Sequence, residues 1–91
     1  MLFDFGSERA VAMWMKDTLL ALDILFLNTA GRVIQIDRNT TPLSTALISA
    51  QQPVRYALEI EAGGAADFGI DKTTRLRIDR LANCGGSEAA P

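Results

Sequence analysis

A small, β-rich α+β fold is what this sequence predicts, and three observations predict it. Residues 14–27 read WMKDTLLALDILFL, an apolar run interrupted at close spacing by Lys16, Asp17, Thr18 and Asp23. Residues 23–27 and 32–37 are β-rich runs around Asn28-Thr29-Ala30-Gly31, the composition of a hairpin. Residues 54–60 (VRYALEI) alternate with the period of a strand. About five strands and one short helix then imply a mostly antiparallel small sheet or a partly closed barrel.

Length and composition bound the rest. Ninety-one residues make one small domain with a modest core. One cysteine, Cys84, allows no intrachain disulfide, so cysteine usage does not reveal the compartment. The chain has no histidine, which removes the commonest zinc ligand and the commonest general base. A net charge of −2 offers no general attraction to nucleic acid or to an anionic membrane. The longest apolar run, residues 19–27, is broken by Asp23 and is too short to span a bilayer. No basic start or signal peptide is visible at Met1.

In chain order, residues 1–5 (MLFDF) read as a short extended piece closed by Gly6-Ser7-Glu8. This piece looks like the interior of a strand, so the domain is expected to extend upstream of Met1. Residues 10–15 (AVAMWM) carry no polar member, which suits a strand buried on both faces. Nothing nearby protects its edge, and an edge needs a cover, a charge or a partner. The expected partner is a missing N-terminal segment or a second copy of the chain. Lys16-Asp17-Thr18 is a turn by its polarity, and residues 19–22 a loop or half-turn.

In the hairpin, Gly31 is expected in the left-handed conformation at a bulge, with Ile34 and Ile36 on one face and Val33, Gln35 and Asp37 on the other. Residues 38–53 form a long polar connection bracketed by Pro42 and Pro53, with at most a short extended piece at 46–49; loops of that length are often functional or mobile. In the strand at 54–60, Val54, Tyr56, Leu58 and Ile60 point inward and Arg55, Ala57 and Glu59 outward. Residues 61–68 suggest a helix of about two turns that Gly69 terminates in the left-handed conformation. A last strand spans 74–80, with Leu76 and Ile78 inward. The domain is therefore expected over residues 1–81, lacking its N-terminal part, with a disordered tail at 82–91.

Familiar chemical signatures are missing. No glycine cluster forms a phosphate-binding loop, no cofactor or metal motif occurs, and Cys84 has no histidine beside it. Asp17 and Asp23, with Glu59 or Glu61, could divide acid and base roles. Capping of local backbone by the two aspartates is the simpler reading, because short polar side chains beside turns bond nearby amides. Trp14 between Met13 and Met15 fits a core, yet it shares a strand face with Lys16 and could receive a polar molecule such as a sugar. Arg55, Arg75, Arg77 and Arg80 could form a basic face, but Asp79 and the net charge favour an ordinary solvated one.

The same residues carry a family resemblance. MWMKDTLLALDILF (residues 13–26), together with Met1-Leu2-Phe3, AGRVIQI (30–36), VRYALEIEAGGA (54–65) and FGI…TRL (68–76), resembles the bacterial and archaeal family called domain of unknown function 192. The central motif is specific because it joins Trp14, Lys16, Thr18 and Asp23 at fixed spacing. Asp17 stands where the family has Asn, Ala21 where it has Pro, and Lys72-Thr73-Thr74 where it has a Gly-Asp turn. The resemblance implies a compact β-rich α+β fold, often in exported proteins, with further strands and a helix before Met1. It implies no activity.

The leading expectation is a non-enzymatic binding or accessory domain. Its ligand surface would comprise Trp14, Lys16, Asp17, Thr18, Asp23 and Glu59, its ligand a polar small molecule, and it would use no cofactor. The second is a protein-interaction or regulatory module acting through a strand edge, or less favourably through arginines on nucleic acid. The third is a hydrolase-like enzyme using Asp17, Asp23 and Glu59.

Overall fold

The computed structural model describes residues 1–77. Six strands and one helical turn follow one another: β1 (Leu2–Arg9), β2 (Ala12–Met13), β3 (Leu22–Leu27), β4 (Val33–Asp37), β5 (Ile48–Ser49), β6 (Val54–Glu61) and α1 (Gly64–Asp67). Four strands make an antiparallel sheet in the order β1-β6-β3-β4, and β2 pairs with β5 as a separate ribbon. The described residues give a β-rich α+β fold whose sheet is open, not a closed barrel.

β3 lies at the middle of this arrangement. Asp23 is 1% exposed and residues 24–27 are fully buried, which requires cover on both faces of the sheet. Ile24 and Phe26 face a core completed by Phe3, Met13, Met15 and Ala57, with Ile48 packed against it from the ribbon. Leu25 and Leu27 face a second core with Leu2, Val33, Tyr56 and Ala65, where Ile70 and Leu76 also pack. The molecule thus has three layers: the ribbon, the sheet, and a cover of α1 with the chain after it.

Several expectations change in this setting. β6 is not half-buried with a wet face, because it runs between β1 and β3; Ala57 is fully buried in the first core while Tyr56, Leu58 and Ile60 serve the second. In β4, the register slips between Val33 and Gln35, leaving Ile34 as an extra residue opposite β3. That bulge reverses the alternation, so Val33 and Ile36 share the second core while Ile34 packs on the first. Strict counting by two fails across a bulge. Gly31 does take a left-handed φ of 81°. Its N–H bonds Asn28 O at 2.9 Å, and Asn28 N–H bonds Arg32 O at 3.0 Å to close the hairpin.

Residues 10–15 do not form a strand buried on both faces. Val11, Met13 and Met15 point inward, while Ala12 is exposed and Trp14 half-buried. Their backbone pairs within the chain, since Ala12 and Met13 lie opposite Ser49 and Ile48. Ala50 N–H and Met15 N–H extend the contact to Val11 O and Ser44 O. One edge of this segment is therefore paired within the chain. β1 runs further than expected, and its register slips between Asp4 and Arg9 around Gly6, which has a φ of 86°. Such a bulge twists an edge away from further pairing.

α1 is one turn, not two. Gly63 is left-handed ahead of it, and Gly69 after it, with Gly69 N–H bonding Ala66 O and Ile70 N–H bonding Ala65 O in the paired pattern that closes helices. Beyond it, Arg75 makes one isolated bridge to Arg32 in place of a continuous strand. Thr74 O accepts from Val33 N–H at 2.9 Å, so this segment covers the outer edge of β4 at its start. The remainder of the expected last strand, the tail and Cys84 lie outside the described residues.

Candidate functional site

Asp23 is a buried carboxylate, and three backbone amides meet it. Its Oδ1 accepts from Asn39 N–H at 2.9 Å, and its Oδ2 from Gly63 N–H and Ala65 N–H, both at 3.1 Å. The side chain therefore holds the loop after β4 and the entrance of α1 at once. Charge-assisted bonds of this kind are roughly twice as strong as neutral ones, and a buried carboxylate needs them. Of the two sequence readings, backbone anchoring describes Asp23, whose oxygens face these amides inside the protein.

The loop held by Asp23 forms one wall of an open pocket of about 250 Å³. Met15, Ala46 and Ile48 give it an apolar floor; Asp37 and Arg38 line one side, and Asn39, Thr40, Thr41 and Ser44 supply amide and hydroxyl groups. The wall is fixed along its length. Thr40 N–H bonds Leu22 O at 2.9 Å, and Thr40 Oγ1 accepts from Leu22 N–H at 3.2 Å, lengthening the β3–β4 ladder with a side chain. Thr40 Oγ1 also lies 3.2 Å from Met15 Sδ. Leu43 N–H bonds Thr18 O at 3.0 Å, and Met15 N–H bonds Ser44 O at 3.1 Å.

Backbone strain gathers here. Among the described residues, positive φ at a non-glycine occurs at Asp17 (64°), Asn39 (50°) and Leu43 (62°). All three lie in the pocket loop or in the turn hydrogen-bonded to it. Leu43 is also 56% exposed, so core packing does not offset its strain. Leu19 and Leu20, beside Thr18, are 77% and 64% exposed.

The expected site residues are dispersed around this pocket. Trp14 alternates with Met13 and Met15, so its indole points away from the sheet, where Lys16 Nζ stands 5.3 Å from the ring centroid. The Trp14 Nε1 is buried without a hydrogen-bond partner among the described residues. Lys16 and Asp17 are exposed, while Thr18 is half-buried and ties the turn together, its N–H on Met15 O and its carbonyl on Leu43.

Glu59 lies opposite Ile24 and so shares the first-core face, whereas Asp23 lies opposite Ile60 and points to the other side of the sheet. Asp23 and Glu59 therefore form no acid pair. Burial raises the Glu59 carboxyl above its ordinary value, partly offset by the ammonium of Met1. The arginines are not pooled either. Arg55 bonds Asp4 at 3.1 Å and stacks on Tyr56, and its guanidinium holds the Asp4 carboxyl below its usual value; Arg75 donates to Ala30 O.

The pocket residues Asp37, Arg38, Asn39, Thr40, Thr41 and Ser44 were not singled out from the sequence. Their signal was the long polar connection itself, where Asn39 precedes Thr-Thr-Pro and tolerates a left-handed backbone.

An open antiparallel sheet with a strand-paired ribbon on one face and a one-turn helix on the other is the class of protein this geometry defines. The chain belongs to the DUF192 family, described as Uncharacterized ACR, whose model matches residues 1–78. It is similar to a solved structure from Sinorhizobium meliloti 1021, described as a candidate transcription regulator, with 45% identity and a TM-score of 0.82. That match covers 85% of this chain and 60% of the other. A Novosphingobium aromaticivorans DSM 12444 protein of unknown function is similar at 32% identity and a TM-score of 0.78, over 82% of this chain and 54% of the other. The chain thus spans less than two thirds of the length of either relative. No curated protein matches it.

Two expectations follow. Asp23→Ala strips three backbone amides, that of Ala65 among them buried, of their acceptor and should lower unfolding free energy by about 3 kcal/mol, read from urea denaturation. Glu59 has its folded-state affinity for protons raised, so its ionised form weakens the fold above the folded pKa, and stability returns as pH falls through that value. Glu59→Gln should accordingly melt higher than the parent near about pH 7, and the difference should close near about pH 3.5 in thermal melts.

Proposed function

We propose that this chain is a binding domain whose pocket between Met15 and the loop after β4 takes a small polar molecule. The observation that carries this reading is a pre-shaped wall. The loop is pinned to Leu22, Asp23, Thr18 and Met15, and it holds two of the three strained non-glycine residues. Strain of this kind costs on the order of 1–3 kcal/mol per residue and is found where geometry serves a purpose other than stability. A polar wall over an apolar floor is also the usual make-up of a ligand site. At about 250 Å³ the pocket is smaller than the roughly 300–1,000 Å³ of drug-sized sites, which favours a metabolite over a polymer.

Titrating small polar metabolites into labelled protein, followed by amide NMR, tests this reading. Saturable shifts are expected at Asn39, Thr40, Thr41 and Ser44. Ala46→Trp, at an exposed lining position, should weaken binding by about tenfold or more while leaving the fold intact. Shifts confined to other surfaces would count against the pocket.

A second reading, an interaction module, draws on three of the exposed leucines, Leu19, Leu20 and Leu43. Leu43 is bonded to Thr18 beside Leu19 and Leu20, and an exposed apolar group of this kind suits a partner surface. The regulator description of the Sinorhizobium relative agrees with such a role. If a second copy is the partner, light scattering should show a mass that rises with concentration, and Leu19→Glu with Leu20→Glu should abolish the rise. A constant monomer mass would argue against self-association.

A further inference from the structure

We infer that the pocket beside the loop after β4 takes a small primary ammonium ion with a short alkyl chain, which narrows the binding reading above and rests on it. The hydrogen bonds of the wall point there. The amide N–H groups of Asn39, Thr40, Leu43, Ser44 and Ala46 are spent on Asp23 Oδ1, Leu22 O, Thr18 O, Thr41 O and Ser44 Oγ respectively. Pro42 has no N–H, which leaves only the amides of Thr41 and Thr45 in that stretch without a hydrogen bond among the described residues. Thr40 spends its hydroxyl as well, donating it to Leu22 O at 2.9 Å. A wall with most of its donors turned inward gives no cradle for an anion, because such cradles are built from successive free amides.

The charge that faces the pocket is negative. Asp37 lies opposite Ile24, so it stands on the face of the sheet that carries the first core and the ribbon, the side of Met15 and Ile48. Gln35 fixes it there, its Nε2 donating to Asp37 Oδ2 at 2.7 Å and to Ser49 O at 3.1 Å. Asp37 Oδ1 accepts no hydrogen bond from the described residues. Arg38, the next residue, falls toward the other face, where its charge acts on Asp71. An ammonium group brings three donors, one for Asp37 Oδ1 and two for the hydroxyl oxygens of Thr41 and Ser44 in the same lining. A neutral diol matches less well, because gripping a carboxylate with both hydroxyls needs both oxygens and Gln35 already holds one. Met15, Ala46 and Ile48 receive the alkyl chain, and the flexible thioether adapts to its shape.

The test compares three probes of matched shape and different charge, n-butylammonium, n-butanol and butyrate, by amide NMR on the full chain. n-Butylammonium is expected to give saturable shifts at residues 39–44, and n-butanol and butyrate to bind about tenfold more weakly or worse. Asp37→Asn keeps an oxygen for Gln35 and should reduce the affinity for n-butylammonium to that for n-butanol. Because the charge is also removed on the probe, the comparison does not depend on the variant folding. Affinity for n-butanol or butyrate equal to or above that for n-butylammonium would overturn the inference and leave the binding reading standing. n-Butylammonium shifts confined to other surfaces, or full affinity in a folded Asp37→Asn chain, would overturn it too. Binding of none of the three would overturn the inference, and the wider metabolite titration then decides the binding reading separately.

Discussion

One carboxylate joins the parts of this fold that no strand joins. Asp23 lies in the strand buried on both faces, and its oxygens reach the loop after β4 on one side and the start of α1 on the other. A neutral side chain of that size could not accept from three amides with comparable strength, because charge-assisted bonds are what offset the cost of burial. The pocket wall depends on this bond. Without it Asn39 would have no reason to hold a left-handed backbone, and Thr40 would lose its register against Leu22. A residue that reads as a blemish in an apolar run is therefore what ties both loops to the sheet.

The second constraint is the limited core of so short a chain. A sheet of four strands must be covered on both faces, and neither cover is large. The ribbon supplies Met13, Met15 and Ile48, and the helical turn supplies Ala65. The ribbon packs through these buried side chains, and a few specific bonds add to the hold of both covers. The closure of α1 by Gly69 is one such set, and the pairing of Met15 with Ser44 is another. Open space is left where a cover ends, and the pocket lies at the end of the ribbon.

Much of this was legible in the residues. The alternation at 54–60, the Gly31 turn and the buried run at 23–27 gave the sheet and its central hairpin, because side-chain period and turn chemistry are local. The faces of β4 were misread because the bulge at Ile34 has no local signature, and β6 because its neighbours on both sides come from distant sequence. The pairing within the ribbon is not legible for the same reason, although its strands fall inside the extended pieces expected at 10–15 and 46–49. Ala12–Met13 and Ile48–Ser49 are too short to show a period, and they pair only because the sheet brings them together. The motif Trp14–Asp23 lies beside the pocket, with Met15 in its lining. Its polar members serve mostly as scaffolding, while the groups that face the open space come from a loop that composition alone marks as irregular.

Gln35 shows what that arrangement entails. Its side-chain amide donates to Ser49 O at 3.1 Å and accepts from Gln51 N–H at 2.8 Å, so a side chain replaces one rung of the ladder that would otherwise join β4 to β5. That amide supplies polar contacts across the seam, and Met13, Met15 and Ile48 close the rest by packing into the first core. The ribbon cannot lift without exposing Met13 and Met15, so its amides are expected to share the exchange protection of β3.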